Sequence, residues 1–305
     1  MIEPAPGPHR SGSIALVGRP NAGKSTLLNR LVGAKLAIVS DKPQTTRTRI
    51  VGVKNAPGVQ AMYLDTPGIH RPLHRLNVRM VDSAVQALHE ADVVVLITDV
   101  TARPGHGERY VRDLVAGLSS PVVLVLNKVD LVDKPRLLPL MERHWREGIY
   151  REIVPVSART GDNVARLEQI LFGLLPEGEP LFPEDYLTDR PERFFVAETV
   201  REKVLELTRD ELPFATAVLV DRFEEPDARG LMRLYCTILV ERESQKPIVV
   251  GRGGELVKRI GTEARQELER FFGARVYLDL RVKVDAAWRE NERVLDALGV
   301  ERRRQ

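Results

Sequence analysis

Gly18-Arg19-Pro20-Asn21-Ala22-Gly23-Lys24-Ser25 fits the pattern G-x-x-x-x-G-K-[ST], and its flanks decide the fold. The apolar residues 14–17 read as a strand, and residues 24–32 read as a helix. A glycine-bearing loop between a strand and a helix makes a phosphate cradle. Gly18 and Gly23 let the backbone curl so that its N–H groups turn inward on phosphate oxygens. The helix adds the positive end of its dipole. Arg19, Pro20, Asn21 and Ala22 form the body of the loop, and Thr26 continues it onto the helix. Lys24 is placed to reach the β- and γ-phosphates and Ser25 to offer its hydroxyl to Mg²⁺.

Working outward, residues 59–64, 93–98, 122–126 and 153–156 are short, nearly continuous apolar runs. Residues 77–89, 107–117, 135–147 and 163–175 lie between or after them and read as crossover helices. This alternation predicts a three-layer α/β domain with a mainly parallel sheet covered on both faces. In such sheets ligands bind at the carboxyl ends of the strands. Three further elements fall there. Asp65-Thr66-Pro67-Gly68 can hold Mg²⁺ through Asp65 and bring the Gly68 N–H to the γ-phosphate. Asn127-Lys128-Val129-Asp130 offers the Asp130 carboxylate to guanine's N1–H and exocyclic amino group. Adenine lacks that donor pair and would leave the carboxylate unpaired. Ser157-Ala158 can offer a backbone N–H to the guanine carbonyl. Together they predict a GTP/GDP site.

Residues 176–191 carry four prolines and read as a linker, because proline blocks both helix and sheet ladder. The rhythm then changes to helix 192–207, strands 215–223 and 231–242, a short apolar edge at 248–250, helix 255–272, strand 275–284 and helix 287–298. This is an α+β pattern. Between edge and helix lies Gly251-Arg252-Gly253-Gly254, a G-x-x-G loop of the kind with which KH domains clamp the backbone of unpaired nucleotides. Ile248, Val249, Val257 and Ile260 are the expected apolar groove, with Lys258, Arg259 and Arg265 supplying charge. The bland alternative is a solvated helix face, since Glu255, Glu263 and Glu267 are interspersed. Trp288 reads as core rather than as a base-stacking residue. The expected division is an arm at 1–11, a GTPase domain at 12–176, a linker at 177–191 and a KH domain at 192–305.

The four nucleotide elements resemble the translation-factor class of P-loop GTPases. With Gln44-Thr45-Thr46-Arg47-Thr48-Arg49 and the KH-like stretch 250–261, nearly the whole chain resembles the Era-type GTPases, which are bacterial and ribosome-associated. The resemblance implies a type II KH domain and a first switch at 44–49, with Thr46 (or, second choice, Thr45) binding Mg²⁺ in the GTP state. The second switch would run from Asp65 through 69–75. The expected catalytic set is Lys24, Thr46 and Gly68; Ile69 stands where Ras-like enzymes place the water-orienting Gln, which implies slow intrinsic hydrolysis. Asn21 resembles the residue with which related GTPases hold K⁺; its alternative is a loop cap. The implied partners are the 3′ end of 16S rRNA and the 30S subunit. The implied state is a cytoplasmic monomer, with a peripheral contact at the inner face of the cell membrane left open. A tRNA-modifying GTPase and a nucleotide-gated RNA-binding protein with incidental turnover are the competing readings.

Composition bounds these readings. The chain has 305 residues, 43% hydrophobic and 29% charged, which suits two folded domains and no membrane-spanning run. Its single cysteine, Cys236, excludes an intrachain disulfide and reads as a small buried hydrophobe. Net charge is +3, but residues 1–180 carry +5 and residues 181–305 carry −2, so an RNA site in the second half must be a local patch. The tail Arg302-Arg303-Arg304 reads as a disordered end.

Overall fold

The computed structural model describes residues 8–42, 45–69, 74–103, 105–208 and 212–300. Residues 1–7 of the expected arm, Gln44 of the first switch, residues 70–73 of the second and the arginine tail lie outside them, whereas Arg10 and Ser11, expected in the arm, begin a strand. The first half is built from β1 (Arg10–Gly18), α1 (Lys24–Val32), β2 (Ile50–Ala56), β3 (Val59–Asp65), α2 (Arg75–Glu90), β4 (Val93–Asp99), α3 (His106–Ala116), β5 (Val122–Asn127), α4 (Leu137–Trp145), β6 (Glu152–Pro155) and α5 (Val164–Leu174). The strand order is β2-β3-β1-β4-β5-β6, parallel throughout except for β2. Alternate residues of β1 serve opposite faces. Ile14 and Leu16 pack with Leu27, Leu28, Leu167 and Leu171 of α1 and α5, whereas Ala15 and Val17 pack with Ala84, Leu88, Val111 and Val115 of α2 and α3. This is why the parallel strands read as continuous apolar runs.

β2 was not expected. It is antiparallel to β3, and its Gly52, Lys54 and Asn55 interrupt the apolar pattern by which the other strands announce themselves. Residues 177–191 form no helix or strand, yet they are not a free tether. The Val53 N–H donates to the Leu187 carbonyl at 2.9 Å, Thr188 Oγ1 donates to the Val51 carbonyl at 2.6 Å, and Gln60 Oε1 accepts the N–H groups of Leu181 and Phe182. The segment thus covers the polar edge that β2 would otherwise expose.

The second half contains α6 (Glu192–Leu207), α7 (Leu212–Ala215), β7 (Thr216–Glu224), β8 (Leu231–Val240), α8 (Lys246–Val250), α9 (Glu255–Phe272), β9 (Arg275–Val284) and α10 (Glu292–Ala297). β7 and β8 are antiparallel; β8 and β9 are parallel, with α8 and α9 forming the crossover that a parallel pair requires. α6 and α9 cover one face of this sheet around Val200, Val204, Ile238, Ile260 and Leu268. Two expectations are corrected. Residues 248–250 are helical, not an edge strand: Pro247 sits in the first turn of α8, and the N–H groups of Ile248 and Val249 bond to the Gln245 carbonyl. The last helix begins five residues late, where the Asn291 side chain caps it through Arg293 N and Val294 N. Trp288 lies in the turn before it, fully buried, with its ring nitrogen donating to the Ala215 carbonyl. Cys236 is buried in β8, which pushes its thiol up to about 12 and leaves it inert.

Candidate nucleotide and RNA sites

The phosphate loop sits between β1 and α1, pressed against two neighbouring loops. A side chain at Gly23 (φ 95°) would strike the Asn127 amide, and one at Gly68 would lie 2.8 Å from the Pro20 ring and backbone nitrogen. Asn127 locks the assembly. Its Nδ2 donates to the Ala22 carbonyl at 2.8 Å and its Oδ1 accepts the Ala158 N–H at 3.0 Å, so one side chain joins the phosphate loop to both base-side loops. Ile69 is buried under Val17 and Leu96, and its N–H reaches the Gly18 carbonyl.

A cavity of about 420 Å³ opens at this junction. Its walls include Asn21, Gly23, Lys24, Ser25, Thr26, Thr46, Gly68, Asn127, Lys128, Asp130 and Ala158. Buried Lys24 donates to the carbonyls of Gly18 (3.4 Å) and Arg19 (3.1 Å). Burial lowers its pKa and nearby Asp65 opposes that shift. Asp65, wholly buried, is raised by desolvation, with Lys24 and the hydroxyls of Ser25 and Thr46 acting the other way. Ser25 Oγ lies 2.7 Å from Thr46 Oγ1; both donate to Asp65 Oδ2, at 2.8 and 3.1 Å. Asp65 Oδ1 is buried with no partner among the described residues. Two hydroxyls and one carboxylate, all hard oxygen donors, fit Mg²⁺, which keeps several waters and phosphate oxygens rather than filling an all-protein cage. Of the two threonines, Thr45 is committed elsewhere: its hydroxyl donates to the Lys42 carbonyl at 2.6 Å.

On the base side, Asp130 Oδ1 accepts the Ser157 hydroxyl at 2.6 Å and Oδ2 accepts Arg159 at 2.5 Å. The Ser157 bond first, then the backbone N–H of Asp130 itself and the Arg159 charge, hold its carboxyl below the usual range. Lys128, at φ 69°, is pinned to Asp99 at 2.6 Å. Some predicted residues stand back from the cavity. The Thr66 hydroxyl is turned to the Leu16 carbonyl at 2.8 Å and Pro67 does not line the walls. The Arg19 side chain lies toward Gly107. The N–H groups of Ser157 and Ala158, expected to face a guanine carbonyl, donate here to the Asp162 carbonyl and to Asn127. Asn21 donates to the Asp41 carbonyl at 2.5 Å and so ties the loop to the segment just ahead of the first switch.

In the second half, Gly251, Gly253 and Gly254 all have positive φ (76°, 62° and 82°). A side chain at Gly251 would collide with Leu256, and Gly254 opens α9. Beside the loop a cleft of about 280 Å³ runs between α9 and β9, walled by Val257, Lys258, Gly261, Thr262, Arg265, Leu278 and Leu280. Ile248 and Arg252 are exposed. Val249 and Ile260 are core residues with no exposure, a correction to the expected groove. Arg259 points away to pair with Glu263 at 2.8 Å. Gly261, Thr262 and the β9 pair Leu278 and Leu280 were missed, although the alternation in 276–282 could have placed that pair on one face.

Sheet, loops and cleft define a P-loop GTPase joined to a KH domain. Residues 13–128 match the family described as "50S ribosome-binding GTPase" and residues 211–289 match the KH domain. GTPase Era of Geobacter sp. (strain M21) is 50% identical over 96% of this chain and 98% of its own length. The chain belongs to the Era family of GTPases. GTPase Era of Heliobacterium modesticaldum is 46% identical over 95% of this chain and 97% of its own. Two solved structures share the fold at 43% identity. A variant of Aquifex aeolicus Era bound to GDP and AlF4⁻ has a TM-score of 0.91 and covers 95% of this chain and 99% of its own. Era in complex with MgGDPNP and nucleotides 1506–1542 of 16S ribosomal RNA has a TM-score of 0.92 and covers 96% and 99%.

Proposed function

We propose that this GTPase binds the 3′ end of 16S rRNA through its KH cleft and acts as a nucleotide-dependent switch in assembly of the 30S subunit. The observation that carries the reading is one fold shared, over nearly the full chain, with a protein seen together with MgGDPNP and a 16S rRNA segment. The cleft between α9 and β9, one turn beyond Gly251–Gly254, is the surface that supports this reading here. The GTPase domain spans 12–176, residues 177–191 link it to the KH domain, and the protein works as a cytoplasmic monomer. Among the described residues no helix is long and apolar enough to cross a membrane.

In this reading Gly18–Thr26 hold the phosphates, Ser25, Thr46 and Asp65 hold Mg²⁺, and Asn127, Lys128 and Asp130 hold guanine. Mg²⁺, when bound, neutralises charge developing between the β- and γ-phosphates. Lys24 shares that task, and the Gly68 N–H meets the γ-phosphate. Ile69 cannot orient water. Intrinsic turnover is therefore slow, and a K⁺ ion held near Asn21 would add positive charge beside the phosphates. Turnover in K⁺ is expected to exceed that in Na⁺ at equal ionic strength, and Asn21→Ala should remove the difference. Equal rates in both salts would leave Asn21 as a brace on Asp41.

The RNA half is tested with the double variant Arg252→Asp, Gly253→Asp. It places carboxylates against RNA phosphates on an exposed loop outside both cores. Affinity for a 16S rRNA 3′-end oligonucleotide should fall at least about tenfold, and the salt slope should flatten by about 0.7 for each lost phosphate contact. GTP turnover without RNA and circular dichroism should not change. A folded variant that binds this RNA like wild type would reduce Gly251–Gly254 to a turn between α8 and α9.

A further inference from the structure

Thr46, whose hydroxyl enters the Ser25–Asp65 cluster, is flanked by two residues anchored in the KH domain. The Thr45 carbonyl accepts a hydrogen bond from Arg201 Nη2 on α6. On the other side Arg47 Nη1 donates at 2.7 Å to the Thr216 carbonyl at the start of β7, with its guanidinium 5.4 Å from the centre of the Trp288 ring. Farther upstream the Val39 N–H donates at 3.0 Å to Glu202 Oε1, while Oε2 accepts Lys35 at 2.6 Å. α6 therefore holds the main chain at two points, Val39 ahead of the first switch and Thr45 within it.

These contacts are made by charges out of water. Arg201 and Glu202 are each 2% exposed, and Arg47 is 6% exposed. Glu198 aligns Arg201 through a two-point bond, at 2.7 Å to Nε and 2.6 Å to Nη2, while Nη1 is buried with no partner among the described residues. Burying a guanidinium with one donor unsatisfied is costly, and a well-packed apolar side chain would serve simple packing better. Both side chains are aimed at backbone atoms, so they hold a loop conformation.

We infer that Arg201 and Glu202 are positioning residues of the Mg²⁺–GTP site: by fixing the main chain at Thr45 and Val39 they set Thr46 against Ser25 and Asp65. The KH domain thus completes the triphosphate site of the GTPase domain. This rests on the reading of Thr46 as a Mg²⁺ ligand in the GTP state. GDP lacks the γ-phosphate that recruits Thr46, so loss of the anchor should fall on GTP affinity alone.

The test uses full-length protein in saturating Mg²⁺ and compares affinities for GDP and a non-hydrolysable GTP analogue. Arg201→Met should lose about tenfold for the analogue, the scale of a hydrogen bond to a charged group, and less than twofold for GDP. Arg201→Lys, which keeps a donor, should recover part of the loss. Thr46→Ala should lose the analogue likewise, and the double variant should lose little more than either single one. If circular dichroism shows Arg201→Met unfolded, Glu198→Gln carries the test, with a smaller loss selective for the analogue. Equal losses for both nucleotides would mean general damage and overturn the inference. An unchanged analogue affinity in Arg201→Met, with Thr46→Ala impaired, would overturn it while leaving the metal site intact. An unimpaired Thr46→Ala would overturn the metal-site reading itself and the inference with it.

Discussion

Lys24→Ala is expected to lower GTP turnover by about 10³-fold or more and to weaken GTP binding. That is the scale of removing one preorganised charge from a transferring phosphoryl group. Lys24 is the loop's buried cation, beside Asp65, and it caps the Gly18 and Arg19 carbonyls. Its loss has a second consequence. Burial alone pushes the Asp65 carboxyl up, and Lys24 is the main influence that opposes it. Without Lys24 the carboxylate becomes a poorer Mg²⁺ ligand, so the Mg²⁺ concentration needed for half-maximal nucleotide binding should rise as well. RNA binding through the α9–β9 cleft should survive. Wild-type turnover in Lys24→Ala would contradict the phosphate-loop assignment.

Asp130→Asn should lower GTP affinity by about 10²–10³-fold and shift preference toward xanthosine triphosphate. The site presents two acceptor oxygens, oriented by the Ser157 hydroxyl and Arg159 and held ionised below the ordinary carboxylate range. An amide turns one acceptor into a donor that meets guanine's N1–H head on. Polar sites reject such mismatches strongly because buried groups are left unpaired. Competition binding with the two triphosphates reads the switch directly. Unchanged GTP affinity would move the base site elsewhere.

Much of this architecture was legible because its signals are local. The loop 18–25 carries its own strand and helix, and α1, α6, α9 and β9 have the bounds read from the sequence. What escaped depends on partners far along the chain. β2 needs β3 beside it and residues 181–188 over its edge before Lys54 and Asn55 make sense in a strand. Arg201 and Glu202 read as ordinary charges on a polar helix, since their partners Thr45 and Val39 lie about 160 residues away. That the Thr46 hydroxyl meets Ser25 and Asp65 while the Thr45 hydroxyl turns to Lys42 is a matter of side-chain direction, which spacing cannot show. Val249 and Ile260 were assigned to the groove because exposed and buried apolar residues look alike in a short run; α8 turned out helical and drew Val249 inward.

The most direct test of the RNA-binding account is to crosslink the protein to RNA in growing cells and sequence the attached fragments. The family description names the 50S particle, whereas the fold shared with a 16S rRNA complex points to the small subunit, so the outcome discriminates. Crosslinks should pile up at the 3′ end of 16S rRNA and fall sharply in the Arg252→Asp, Gly253→Asp variant. Crosslinks concentrated on 23S rRNA or tRNA, unchanged in that variant, would contradict it.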